Sequence, residues 1–142
     1  MEPLTVPGTL DSLSIVADYV KMATTEAGLD KKASYRLRLA VDEIATNIVT
    51  HGYAEAGREG NLALQAVIDG KALTISIEDT GVAYEPQIQP PDGLDSPLEE
   101  RQIGGLGVYL AIQNVDKFHY ERAGGRNRHT FIVTRTVAST EN

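Results

Sequence analysis

Residues 41–47 read VDEIATN, and the fold turns on how they are read. Leu37, Val41, Ile44 and Ile48 recur at three and four residues, the spacing of one helical face, so the stretch belongs to a helix predicted from about Lys31 to His51 and ended by Gly52. Glu43 and Asn47 fall on one edge of that apolar stripe, on the side of Ala40, while Asp42 and Thr46 are expected to project away. Four residues of helix separate the pair by about 6 Å along the axis, so their oxygens border one small volume. Two readings fit. They are boundary residues satisfied by solvent, or they are a carboxamide for a hard cation beside a carboxylate that activates a hydroxyl or water.

Upstream, Thr9 precedes LDSLSIVADYVKMATTEAG, where Leu13, Val16, Val20, Ala23 and Ala27 mark a helix with Thr9 as N-cap and Gly28 as its stop. Downstream, LALQAVI and ALTISIED flank Asp69-Gly70, a dipeptide that favours a tight hairpin because both residues tolerate positive φ. In the second strand Leu73, Ile75 and Ile77 share one face, and Asp79 shares their parity. A carboxylate on an apolar strand face needs a donor. Either Asp79-x-Gly81 is simply a turn, or the donor comes from a ligand such as the exocyclic amine of a purine.

From Gly81 to Ile103 the periodicity stops and four of the six prolines occur. A loop of this length in a compact domain is usually functional or disordered. Ser96, Pro97 and Glu99 are ordered as N-cap, N1 and N3 of a short helical turn reaching about Arg101. The loop meets GGLGVYLAIQNV, a third helix entered through Gly104, Gly105, Leu106 and Gly107. Such an entry offers unpaired N–H groups and the positive end of a helix dipole to an anion, or serves only as a loop joint. It lacks the Lys and Ser/Thr of a P-loop and does not follow a strand as a dinucleotide fingerprint would. DKFHYER and RHTFIVTR then form strands around AGGRN, and Leu4 to Val6 is a possible edge strand. Segregated helices and strands predict an α+β, two-layer sandwich: one mostly antiparallel sheet covered by about three helices, in a single domain over residues 1–142.

Composition narrows the partners. Twenty acidic against thirteen basic residues leave a formal charge of −7, and the longest basic cluster is Lys31-Lys32, so nucleic acid and anionic membrane are not expected to bind. Without cysteine there is no disulfide, thiolate nucleophile or Cys-ligated zinc. The N-terminus shows no secretory signal and no window reaches 18 apolar residues, so the expected location is cytoplasmic.

The three polar anomalies make complementary demands on one ligand: a base at Asp79, a metal at Asn47 and phosphates at Gly104–Gly107. At this point the residues resemble a known family. Glu43-x-x-x-Asn47 running into His51-Gly52-Tyr53 is similar to the N-box of the GHKL (Bergerat-fold) ATPase/kinase superfamily, Asp79-x-Gly81 to its G1 box and Gly104-Gly105-Leu106-Gly107 to its G2 box. The HGY and GGLG forms look most like the anti-sigma-factor serine/threonine kinases of the RsbW and SpoIIAB type. The resemblance implies ATP and Mg²⁺ as cofactors, Glu43 as general base and Asn47 as the metal ligand. Asp79 would accept from the adenine amino group, with Gly81 letting the base approach. Thr130 would support adenine through water, Gly104, Gly105, Leu106 and Gly107 would cradle the phosphates, and residues 83–103 would form an ATP lid.

The sequence departs from the superfamily at Ala83, where many members have a second glycine, and Arg101 is the available lid cation. His51 is expected to pack structurally, His119 and His129 to have no chemistry, and Arg122, Arg126 and Arg128 to be solvated hairpin charges. The implied function is a protein kinase that phosphorylates an anti-anti-sigma partner of STAS fold, sequesters a sigma factor or similar regulator, and forms a homodimer. The alternatives are a nucleotide-binding switch without turnover and the ATP-binding module of a two-component system, the latter disfavoured because no phosphoacceptor-histidine helix precedes the domain.

Overall fold

The computed structural model describes residues 1–83, 109 and 111–135. The expected lid beyond Ala83, the turn at Ser96–Glu99, Arg101 and the Gly104, Gly105, Leu106 and Gly107 cradle lie outside the described residues. Among the described residues, five antiparallel strands form one sheet: β1 (Leu4–Pro7), β2 (Asn61–Ile68), β3 (Ala72–Asp79), β4 (Lys117–Ala123) and β5 (Arg126–Thr134), in the spatial order β1-β2-β3-β5-β4. Two long helices, α1 (Leu13–Ala27) and α2 (Lys31–Asn47), cover one face. Tyr109, Ala111 and Ile112 are helical, which agrees with a third helix after the glycines, and Ala111 and Ile112 join the core. The α+β two-layer architecture therefore matches the expectation.

Strand alternation builds the core. Leu62, Leu64 and Ala66 of β2, Leu73, Ile75 and Ile77 of β3, and Phe131 and Val133 of β5 are all buried, and meet Val16, Val20 and Ala23 of α1 and Leu37, Ala40, Val41 and Ile44 of α2. Each fully buried Leu, Ile or Phe contributes about 1.5–3 kcal/mol relative to exposure. The other parity carries Thr74, Ser76 and Glu78 on β3 and Arg128, Thr130 and Ile132 on β5, which pair across the register.

The ends of the elements differ in detail from the sequence reading. Thr9 caps a short 3₁₀ turn (Leu10–Ser12) rather than α1; its carbonyl accepts from Ser12 N–H at 3.0 Å and its hydroxyl meets that of Ser12 at 3.3 Å. Gly28 ends α1 as expected, at φ 71°, with Leu29 N–H reaching Thr24 O and Gly28 N–H reaching Thr25 O, both at 3.1 Å, the Schellman pattern. Asp30 caps α2 by accepting from Ala33 N–H at 2.8 Å. The β2–β3 connection has neither Asp69 nor Gly70 at positive φ. Asp69 Oδ1 instead accepts from Lys71 and Ala72 N–H at 2.7 and 2.8 Å, so a side chain organises the turn. The tight two-residue turn with both residues at positive φ occurs at Gly124-Gly125 (60° and 76°), and Arg126 and Asn127 already belong to β5.

The helix bearing VDEIATN does not stop at Gly52. It passes from α2 into a π-helical turn (Ile48–Ala54), and the chain breaks off at Gly57, φ 67°, where Arg58 N–H bonds Tyr53 O at 2.9 Å and Gly57 N–H bonds Ala54 O at 3.1 Å. Gly52 stays helical without positive φ, and Gly57 supplies the left-handed residue that a helix end requires.

Candidate functional site

α2 and its π-helical extension form one wall. Glu43 and Asn47 are half-buried and, with Thr46, Thr50 and His51, line a cleft of about 270 Å³. The pair thus borders one volume, as the four-residue spacing requires. Thr46 lines the cleft too instead of projecting away, because three residues of helix turn it only about 60° from Glu43. Asn47 Nδ2 donates to the Glu43 backbone carbonyl at 3.1 Å, so its carbonyl oxygen is the atom left for the cleft. That hard oxygen suits a hard divalent cation. No group of three or more His, Cys, Asp or Glu is assembled for a metal among the described residues. An ion at Asn47 would therefore need ligands other than a cluster of described His, Cys, Asp or Glu side chains.

His51 is not packed structurally. Its side chain is 45% exposed, lines the same cleft, and its Nδ1 lies 2.7 Å from Glu55 Oε1. The wider π turn, closing i to i+5, advances roughly 80° per residue rather than 100°, which offsets the drift of a four-residue step and returns His51 to the edge of Glu43 and Asn47.

The next two residues tie this wall to the other. Gly52 packs backbone to backbone on Gly81: a Cβ on Gly81 would lie 2.6 Å from Gly52 O, and Val82 N–H donates to that oxygen at 3.2 Å. A reason for glycine at Gly81 therefore lies inside the protein, in the backbone of Gly52, whatever a base would require. Tyr53 is 2% exposed; its hydroxyl donates to Asn61 O at 2.7 Å and accepts from Thr80 N–H at 2.9 Å, holding the strand end beside Asp79. Gly8 and Gly60 leave room for its ring, since a Cβ on either would come within 2.7 Å of it.

Asp79 closes β3 on the buried face and is 2% exposed. Its Oδ1 accepts from Gly81 N–H at 2.8 Å and from Asn127 Nδ2 at 2.9 Å, while Oδ2 is buried without a hydrogen-bond partner among the described residues. Asp79-x-Gly81 is thus a turn, and the turn leaves Oδ2 buried with no donor among the described residues. Burial pushes the Asp79 carboxyl above the ordinary carboxylate range, opposed by the Asn127 and Gly81 hydrogen bonds and by the Arg122 guanidinium.

Asn127, which the AGGRN stretch places in a connection, lies in β5 and is a site residue with no motif to mark it. It faces Asp79 across the β3–β5 register, is 1% exposed, and also donates to Gly81 O at 3.3 Å and Val82 O at 3.1 Å. The available signal was parity: Asn127 lies an even number of residues from the buried Phe131 and Val133. Arg122 is likewise more than a solvated charge, donating to Asn127 Oδ1 at 2.9 Å and Gly81 O at 3.4 Å. Arg126 and Arg128 do sit at the surface, paired with Glu78 on the outer face.

Thr130 is not brought to Asp79. It pairs with Ser76 and has the parity of Arg128 and Ile132, so it belongs to the opposite sheet face, while His129 takes the inward position. Strand alternation makes this a one-residue matter of register. A larger cavity of about 700 Å³, lined by Met1, Pro3, Leu4, Tyr19 and Met22 with Glu2 and Glu26, lies beside β1 and holds none of the candidate residues. No helix among the described residues is long and apolar enough to cross a membrane.

Comparisons with known proteins identify the family to which the chain is similar. A family model for the histidine kinase-like ATPase domain matches residues 6–133. The chain is 28% identical over 127 residues to the serine-protein kinase RsbW of Halalkalibacterium halodurans, spanning 86% of this chain and 76% of that protein. It is 27% identical over 101 residues to an anti-sigma F factor of Clostridium kluyveri, spanning 71% and 68% respectively. Among solved structures, the RsbU and RsbW domains of Rv1364c from Mycobacterium tuberculosis superpose with a TM-score of 0.59 at 20% identity, over 96% of this chain and 34% of that one.

Proposed function

The chain belongs to the histidine kinase-like ATPase domain family, and from that premise we propose that it is an ATP-dependent protein serine/threonine kinase acting as an anti-sigma regulatory factor. Its substrate is a hydroxyl on an anti-anti-sigma protein of STAS fold, and its other partner is a sigma factor or an analogous regulator, held when the substrate is absent. The relatives named as a serine-protein kinase and an anti-sigma factor support this reading. The observation that carries it is the pairing, across one Gly52–Gly81 contact, of an orphaned buried acceptor at Asp79 with the Glu43–Asn47 cleft.

Each residue then has a separable role. Asp79 Oδ2 accepts the hydrogen bond of the adenine amino group. Glu43 takes the proton from the substrate serine or threonine as its oxygen attacks the γ-phosphorus; the bond to the β–γ bridging oxygen breaks and ADP departs. Asn47 would hold Mg²⁺ through its carbonyl oxygen, and the ion would supply charge neutralisation. Phosphoryl transfer demands chiefly positioning and charge stabilisation, so one base, one metal ligand and a phosphate cradle suffice. Gly104, Gly105, Leu106 and Gly107 complete that cradle and residues 83–103 the lid; a homodimer is part of the same reading.

Incubating the protein with labelled ATP, Mg²⁺ and each STAS-domain protein of its own genome tests it. Label is expected on a serine or threonine of one of them. Glu43→Ala is expected to bind ATP as before and to lose transfer by at least a hundredfold, the range of general-base contributions. Transfer at the wild-type rate by Glu43→Ala would sink the base assignment, and nucleotide binding without transfer to any partner would leave a switch rather than a kinase.

A further inference from the structure

We infer that Asn127 is a specificity-determining residue: by occupying one oxygen of Asp79 from a fixed direction, it makes the site accept a 6-amino purine and reject a 6-oxo purine. This rests on the reading that Asp79 receives the base.

Only one oxygen of Asp79 is bonded among the described residues. Gly81 N–H and Asn127 Nδ2 both fill Oδ1, at 2.8 and 2.9 Å, so Oδ2 is the atom left to a ligand. An exocyclic amine at C6 donates to that oxygen, whereas a C6 carbonyl sets lone pair against lone pair, and a buried acceptor without a donor costs about 1–3 kcal/mol. The discrimination lasts only while Oδ2 carries no proton. A protonated Oδ2 would itself be a donor, matched to a 6-oxo purine.

Asn127 opposes that proton. Desolvation favours the neutral acid, and the hydrogen bonds of Asn127 and Gly81 with the charge of Arg122 favour the carboxylate. The carboxamide is held in the donating orientation. Its Oδ1 accepts from Tyr120 Oη at 2.6 Å and Arg122 Nη1 at 2.9 Å, and its Nδ2 also serves Gly81 O and Val82 O. A flipped amide would turn its oxygen onto a carboxylate and two carbonyls and its N–H groups onto a guanidinium. The ionisable groups around the pair are Arg122 and Tyr120 on β4, His129 on β5, which faces Tyr120 across the register, and Tyr53 from the helical layer, whose hydroxyl binds Thr80 N–H. Among these, Arg122 and Tyr120 bond Asn127 itself, so the hairpin edge sets the purine preference through one side chain.

The test measures ATP and inosine triphosphate affinity by competition on the full chain across a pH series. The ratio of the two affinities is the readout, since both ligands report the same folded population and partial unfolding cancels. The wild-type protein is expected to favour ATP at least tenfold at neutral pH, with the preference shrinking as pH falls. Asn127→Leu should reduce the ratio about tenfold at neutral pH and move its loss to higher pH. Arg122→Met, an exposed substitution that leaves the core intact, should move it less in the same direction. An unchanged ratio and pH profile in Asn127→Leu, with Asp79→Asn abolishing the preference, would overturn the role of Asn127 while the base site stands. An unchanged ratio in Asp79→Asn would overturn both.

Discussion

Gly52 and Gly81 look alike in the sequence, each the glycine of a short motif, yet the structure makes opposite demands on them. A methyl group on Gly81 would stand 2.6 Å from Gly52 O, 2.8 Å from its carbonyl carbon and 3.0 Å from its Cα, where ordinary contact begins near 3.4 Å. The obstruction is backbone, held in place by the π turn and by Val82 N–H, so it cannot swing aside as a side chain would. Overpacking of this kind costs about 1–3 kcal/mol. A methyl on Gly52 meets nothing nearer than Ile48 Cγ2 at 3.7 Å and Gly81 Cα at 3.9 Å, and neither glycine has positive φ. In a helical conformation, Gly52→Ala should therefore gain about 0.5–1 kcal/mol from the smaller entropy of the unfolded chain. The two alanine variants should differ by roughly 1.5–4 kcal/mol, which for a domain of this size is about 5–15 °C in melting temperature. Thermal unfolding followed by circular dichroism measures that difference directly. Nucleotide affinity should follow the same division, with Gly81→Ala weakened because Asp79 Oδ1 is anchored on the Gly81 amide, and Gly52→Ala within about twofold of wild type. Melting temperatures within 2 °C of each other would refute the reasoning.

Asp79→Asn should weaken ATP binding roughly tenfold or more by turning an amide donor toward the adenine amine, yet stabilise the nucleotide-free protein at neutral pH. The sign follows from the raised carboxyl. Below the usual carboxylate pKa of 3.8 both folded and unfolded chains are protonated and the burial cost is absent; as pH rises the unfolded chain releases its proton first, so stability falls until native Asp79 ionises too. The stabilisation by Asn should hence vanish on acidification toward pH 4, and a pH series of melting temperatures that shows it constant would count against the assignment. Tyr53→Phe should cost about 1–3 kcal/mol by leaving Asn61 O and Thr80 N–H without the hydroxyl between them, measured by denaturant unfolding. Glu78→Ala, which removes the exposed pairs with Arg126 and Arg128, should cost at most about 1 kcal/mol and less at high salt.

The layers of the fold were legible because periodicity reports burial wherever one face is dry. Val16 to Ala27, Leu37 to Ile48 and Leu73 to Ile77 point their apolar residues where the patterns place them. Turn chemistry was less legible. Asp69-Gly70 and Gly124-Gly125 both resemble hairpin turns, and only the second adopts positive φ, since in the first a side-chain oxygen could cap two amides instead. A one-residue change of parity on β5 decided between Thr130 and its neighbours, and a boundary placed two residues late hid Asn127 in a loop.

What the sequence determined by itself is local: a helix with a carboxylate and a carboxamide on one edge, a strand ending in a buried carboxylate, and the motif order that marks the family. These follow from spacing along a chain of known helical and strand period. Tertiary structure decided the rest, because it concerns which atoms meet. It placed Gly52 against Gly81, set Asn127 across from Asp79 over forty-eight residues of separation, turned His51 into the cleft through a π-helical turn, and buried Oδ2 of Asp79 without a hydrogen-bond partner among the described residues.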